Sequence, residues 1–303
     1  MEIASEGASP VDRTREINGQ PSHFLEGGAG PTLFFVHDWL STAVSFAALV
    51  HELGPRYRRI RVDLPGFGGT PAPEDWDHTL GSYAAFLNAS LRETASRDAT
   101  LVCHGFGTLV TLRALADDGG EASRRVSRLI LLNGPLYDEA PKGVFSFLKK
   151  GPFEPLLTAP PHDLPTYRRR MLRLFGDPTY FDEAFVEEAY ERWRPGGPAT
   201  LRSLAEHLPQ LRESLPRLRG VLQHWTGPVH LLWGEEDPFA GAEPAHRFHE
   251  EVRRAKVLIF PEVGYLPHVE APKAVANQIR KVVRVSKVPS LPTASSKTPA
   301  STG

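Results

Sequence analysis

Residues Leu101-Val102-Cys103-His104-Gly105-Phe106-Gly107-Thr108 read as a buried strand running straight into a helix. Such a junction can present a nucleophile on a sharp turn, in the pattern G-x-S-x-G. Here the apex is Gly105, and Cys103 stands at the place of the first glycine. A Cα hydrogen cannot attack a carbonyl or an epoxide. Glycine does suit the turn itself, because an elbow is strained and glycine has no Cβ to penalise. Cys103 lies two residues before the apex, where its thiol is expected to face the core. Burial raises a thiol pKa and leaves it inert. Any chemistry at this junction therefore has to come from side chains brought in by other segments.

Those segments can be read from the hydrophobic pattern. Short apolar runs rich in β-branched residues at 32–37, 59–63, 99–104, 128–133, 228–233 and 255–260 suit strands covered on both faces. Helical stretches fall between them at 42–53, 80–95 and 108–117. The alternation predicts a parallel sheet with right-handed crossovers. Ahead of it, Ile17-Asn18-Gly19 followed by Ser22-His23-Phe24-Leu25-Glu26 predicts a hairpin, Asn-Gly being its strongest short signal. Between 136 and 225 the rhythm breaks into prolines, clustered arginines and aromatics, with helix-like pieces at 167–175, 182–193 and 199–215. Phe145, Phe147, Phe153, Phe175, Tyr180, Phe181 and Trp193 there are expected to line or support a pocket. Residues 1–13 and 288–303 have little to bury and read as disordered tails.

A chain of 303 residues, 41% hydrophobic, can bury one large core or two small ones. Its net charge of −1 argues against a general nucleic-acid binder. The clusters Arg56-Tyr57-Arg58-Arg59 and Arg168-Arg169-Arg170 read as solvated faces. A single cysteine excludes an internal disulfide. With no signal-peptide pattern at the N-terminus and no run of ~20 apolar residues, a cytoplasmic protein without a membrane partner is expected. Neither metal-ligand spacing nor a glycine-rich dinucleotide fingerprint occurs, so no cofactor is expected. The oligomeric state is left open.

From about residue 15 to 285 the chain resembles the α/β-hydrolase superfamily, in its epoxide hydrolase, haloalkane dehalogenase and esterase-like branch. Besides the hairpin, Phe34-Phe35-Val36-His37-Asp38-Trp39 is similar to the third strand with its oxyanion loop. Val62-Asp63-Leu64-Pro65-Gly66-Phe67-Gly68-Gly69-Thr70 resembles the D-x-P-G-x-G-x-S loop. Leu231-Leu232-Trp233-Gly234-Glu235-Glu236-Asp237 looks like the strand that delivers a triad acid. Pro261-Glu262-Val263-Gly264-Tyr265-Leu266-Pro267-His268-Val269-Glu270-Ala271-Pro272 looks like the loop that delivers the triad histidine. The resemblance implies a mostly parallel eight-stranded sheet flanked by helices. The core would be 14–135 with 226–287, and a helical cap at 136–225 would follow the sixth strand.

In the family a nucleophile, an acid and a histidine form a triad. The resemblance puts Asp237 and His268 in the last two places and leaves the first, Gly105, vacant. It also puts His37, Asp38, Trp39, His104 and Phe106 around the oxyanion hole and substrate pocket, with backbone N–H donors at Trp39 and Phe106. Asp38 replaces the usual glycine. Pointing inward it would oppose an oxyanion; turned away it would cap the helix starting near Ser41 or Thr42. His104 and Asp63 are expected to be structural, Asp63 fixing the Pro65-Gly66 turn.

Three functions follow. The first is nucleophile-free general-base chemistry by His268–Asp237 on a small, largely apolar substrate, as in a lyase, cyclase, isomerase or direct hydration. The second is a non-catalytic pseudoenzyme binding a small ligand or partner. The third is a hydrolase with another nucleophile or an Asp38-activated water. Removing the serine of a serine protease costs about 10⁶-fold, which sets covalent ester hydrolysis aside.

Overall fold

The computed structural model describes residues 10–94, 97–117, 120–137 and 161–284. Val11–Ile17 (β1) and Gln20–Gly27 (β2) form the expected hairpin, with Asn18 and Gly19 at positive φ of 51° and 80°. That is the turn whose twist matches the flanking strands. The tail expected through residue 13 is shorter, because residues 11–13 already pair with 24–26 in β2. Thr32–Val36 (β3) leads through a 3-10 turn, Ala43–Phe46, into Ala47–Leu53 (α1). Arg58–Val62 (β4), Leu80–Thr94 (α2), Ala99–His104 (β5), Phe106–Ala116 (α3), Glu121–Arg125 (α4) and Val126–Leu132 (β6) complete the first part.

The segment between β6 and the next strand carries Leu164–Leu172 (α5), Glu183–Trp193 (α6), Gly197–Glu206 (α7) and Leu208–His224 (α8). The sequence suggested one helix over 199–215. Two form instead, because a proline in the first turn of α8 has no N–H to continue α7 and is suited to starting a new helix. Val229–Gly234 (β7), Glu243–Glu251 (α9), Lys256–Phe260 (β8), Pro267–Glu270 (α10) and Pro272–Val282 (α11) follow.

The eight strands lie in the order β1-β2-β4-β3-β5-β6-β7-β8. The first two pairings are antiparallel and the rest parallel. On one face Val36, Leu101, Cys103, Leu129 and Leu231 pack beneath α2 and α3. On the other, Phe35, Val102, Ile130 and Leu232 pack with α1 and α11. Alternate residues of each strand thus bury on opposite sides, which is why the runs read as continuously apolar. Arg59 is buried too, donating to the Val50 and Gly27 carbonyls, so the solvated-face reading fails for that residue.

Tyr167 and Trp193, from α5 and α6, are buried against the same core cluster, each removal from water stabilising by about 3 kcal/mol. Phe175 is buried and Tyr180 is exposed. Phe145, Phe147 and Phe153 lie outside the described residues, as does the tail at 288–303. No described helix is long and apolar enough to cross a membrane.

Candidate active centre

The C-terminal ends of β3, β5, β7 and β8 all open on one side of the sheet, and the residues singled out above sit on the loops that leave them. β5 ends at His104, and Gly105 turns the chain into α3 with φ 54° and ψ −120°. Positive φ of this kind favours glycine. A Cβ added there would also meet neighbours, at 2.1 Å from Asp38 Oδ1 and 2.5 Å from the Tyr265 hydroxyl. The space a side chain at 105 would use is filled by residues 38 and 265.

Asp38 points inward and is 1% exposed. The Phe106 N–H donates to its Oδ1 at 2.7 Å, and the backbone amides of Trp39 and Leu40 also serve this carboxylate. The two N–H groups expected to hold an oxyanion are therefore turned on the chain's own carboxylate. Burial pushes the Asp38 pKa up to about 7, against the pull of these donors and of the Tyr265 hydroxyl. Helix capping falls to Asp63 instead, whose Oδ1 accepts the Ala43 N–H at 2.7 Å.

Asp237, at the end of β7, accepts from Asn133 Nδ2 at 2.6 Å and from the Phe239 N–H at 2.8 Å. Desolvation raises its pKa to about 6. The pairing expected between Asp237 and His268 is not made. His268 is fully buried, with its ring 4.9 Å from Phe46 and 4.5 Å from His104, and neither ring nitrogen has a hydrogen-bond partner among the described residues. Burial drives its pKa well down, so it is neutral. The side chain of that loop that reaches Gly105 is Tyr265. Its hydroxyl donates to Asp38, and both Asp38 and Asp237 act with burial to raise its pKa. Sequence reasoning missed it by looking for a histidine; the signal was its place directly after Gly264, ahead of the helix that Pro267 opens.

A model of the alpha/beta hydrolase family matches residues 33–278. The chain belongs to that family. LipZ of Mycobacterium tuberculosis, which carries a hydrolase name, is 25% identical over 269 residues, 84% of this chain and 89% of the relative. YugF of Bacillus subtilis, also named a hydrolase, is 24% identical over 299 residues, covering 92% and 100% of the two chains. Among solved structures the fold is similar to the epoxide hydrolase CorEH without ligand, with a TM-score of 0.72 at 19% identity, covering 90% of this chain and 98% of that one.

Around these strand ends His37, His104 and Cys103 each have a polar partner, while His104 Nδ1 and Thr108 Oγ1 have none among the described residues. The Leu64 N–H donates to His37 Nε2 at 3.0 Å, which leaves the proton on Nδ1 to donate to the Asp38 carbonyl at 2.6 Å. His37 is thus a neutral brace, and burial keeps its pKa low. His104 donates from Nε2 to the Tyr265 carbonyl at 2.8 Å, and burial lowers its pKa to about 3. Cys103 Sγ lies 2.9 Å from Thr111 Oγ1, its pKa raised to about 12. Trp39 and Phe106 stack at 5.9 Å and 9°. From above, Tyr167 donates to the Leu40 carbonyl at 3.0 Å and Trp193 to that of Trp39 at 3.2 Å. Among the described residues no group of three or more His, Cys, Asp or Glu is arranged to hold a metal ion. What the arrangement offers chemically is a closed set of three acids, Asp38, Asp237 and Tyr265, with neutral histidines around it.

Proposed function

We propose that this chain is a non-hydrolysing member of the α/β-hydrolase family that binds a small molecule instead of turning over an ester or epoxide. The observation that carries this is the position of the Asp38 carboxylate, against Gly105 and on the Phe106 N–H. It occupies at once the room of a nucleophile and a donor meant for the oxyanion. One lost donor costs about 2.7–4 kcal/mol of transition-state stabilisation, and an ionised Asp38 adds repulsion. The phenol of Tyr265, its pKa raised, is a poor base at neutral pH. His268 has no carboxylate to orient it, which removes the support for general-base chemistry through a His268–Asp237 pair.

The test is p-nitrophenyl ester turnover. The unmodified chain is expected to show none above background. Gly105→Ser alone should also stay silent, because its side chain has no room and no base. The triple change Asp38→Gly, Gly105→Ser, Tyr265→His should produce an acyl-enzyme burst. One observation favours a second reading: an Asp38 carboxyl poised at about 7 suits an acid–base group at neutral pH. Turnover by the unmodified chain that disappears in Asp38→Asn would overturn the first reading in favour of the second.

A further inference from the structure

A cavity of about 170 Å³ lies beside the reaction centre, between the start of α2, the flank of α3 and the α7–α8 junction. None of Gly105, Asp38, Asp237 and Tyr265 borders it, but it shares Trp39 and Phe106 with the centre described above and adjoins it. Trp39 and Phe106 form one wall, and Leu204 and Leu208 face them. The remaining wall carries His78, His207 and Arg113, and among the described residues no carboxylate lines the space. An apolar floor with a cationic or protonatable rim matches a compact organic acid. At roughly 30 Å³ per water-sized group, the volume takes about six non-hydrogen atoms.

We propose that this cavity binds a small aliphatic carboxylic acid, its tail on Trp39 and Phe106 and its carboxylate on His78. The proposal rests on the small-molecule-binding reading above and names its ligand class. The hydrogen bonds around His78 define how it acts. Tyr83 donates its hydroxyl proton to the Pro65 carbonyl at 3.2 Å, so its oxygen accepts from His78 Nδ1, also at 3.2 Å. That leaves His78 Nε2 as the atom that takes up a proton and donates to the ligand.

The charges that face His78 are His207 across the cavity, Asp77 beside it and Glu206 at the end of α7. The Asp77 carboxylate is already engaged by the N–H and hydroxyl of Thr79, and Arg113 pairs with Asp117 on α3. Burial and His207 hold His78 below its ordinary value, so it is neutral at pH 7 when the cavity is empty. Seating a carboxylate favours the imidazolium. Binding the anion then draws a proton from solvent onto His78, and affinity rises as pH falls.

The probe is pentanoate, with pentanamide as its neutral isostere, titrated by calorimetry at about pH 6 and about pH 8 in buffers of different ionisation enthalpy. The expected result is saturable pentanoate binding, at least about tenfold tighter than pentanamide near pH 6, with net proton uptake that pentanamide does not show. His78→Asn, which tolerates the positive φ of 53° at this position, should lose the proton uptake and the preference for the acid. Leu204→Trp should fill the cavity and abolish both titrations. Absence of pentanoate binding, equal affinity for acid and amide, or proton uptake retained in His78→Asn would each overturn the proposal. Ester hydrolysis by the same preparation would overturn the non-hydrolysing reading and leave the acid-binding result standing.

Discussion

Asp63 and Asp38 stand at the ends of neighbouring strands, each buried and each packed against a glycine at positive φ. A Cβ at Gly68 would lie 2.1 Å from Asp63 Oδ2, as one at Gly105 would lie 2.1 Å from Asp38 Oδ1. The two carboxylates nevertheless titrate in opposite directions. Asp63 binds His23 Nδ1 at 2.7 Å together with the N–H groups of Ala43 and Gly69, and its pKa falls despite burial. Asp38 has only neutral donors, and its pKa rises to about 7. Equal desolvation is reversed where a cation faces the carboxylate and left standing where none does. The glycine in each case gives the carboxylate its close approach to the backbone. By this comparison Gly105 is a packing requirement of Asp38, as Gly68 is of Asp63.

The largest effect is expected where the charge pair is broken. Asp63→Ala leaves His23 only its exposed contact with Asp12, strips the Ala43 and Gly69 N–H groups of their acceptor, and should cost about 3–5 kcal/mol in urea denaturation. A loss near zero would mean that Asp63 is no better compensated than Asp38. Next comes Gly105→Ala, where a Cβ meets both positive φ and the Asp38 carboxylate, for a loss of about 3 kcal/mol. Adding Asp38→Gly should return part of that loss, and strict additivity in the cycle would disprove the coupling.

Asp38→Asn is smaller and pH-dependent. A carboxyl raised from its ordinary 3.8 to about 7 makes the folded state bind more protons than the unfolded state between those values. Its contribution therefore weakens the fold as pH rises from about 4 to about 7. Relative to the unmodified chain, Asp38→Asn should gain about 2–4 kcal/mol on going from about pH 4 to about pH 7.5. A flat difference would place the raised pKa elsewhere.

The smallest effect belongs to the His23 side. With its pKa raised by Asp63, His23 stabilises below its ordinary 6.5, and that contribution is lost as pH rises through its higher folded value. His23→Gln should therefore destabilise most in mildly acidic solution, by about 1 kcal/mol. A larger loss in alkali would reverse the assignment.

Much of the scaffold was legible because it rests on local chemistry. Asn18-Gly19 announced the hairpin, the β-branched runs announced strands buried on both faces, and Cys103 faced the core as its place in the strand implied. The centre was less legible because its geometry is set by long-range packing. Nothing near residue 38 tells whether its carboxylate caps the next turn or crosses to Phe106, 68 positions away. The choice between Tyr265 and His268 likewise depended on the helix opened by Pro267, which carries His268 under Phe46 and leaves the tyrosine facing Gly105.

The close approach of Asp38 to Gly105 also bears on how such a sequence can change over time. Serine at 105 first would collide with Asp38, and glycine at 38 first would strand the buried Phe106 N–H. Each single reversal is worse than the starting pair, and because a side chain at 105 also meets the Tyr265 hydroxyl, room for it opens only when residues 38, 105 and 265 change together. The positions are epistatic in the strict sense, and a lineage that has made this exchange has no downhill single step back to an open elbow.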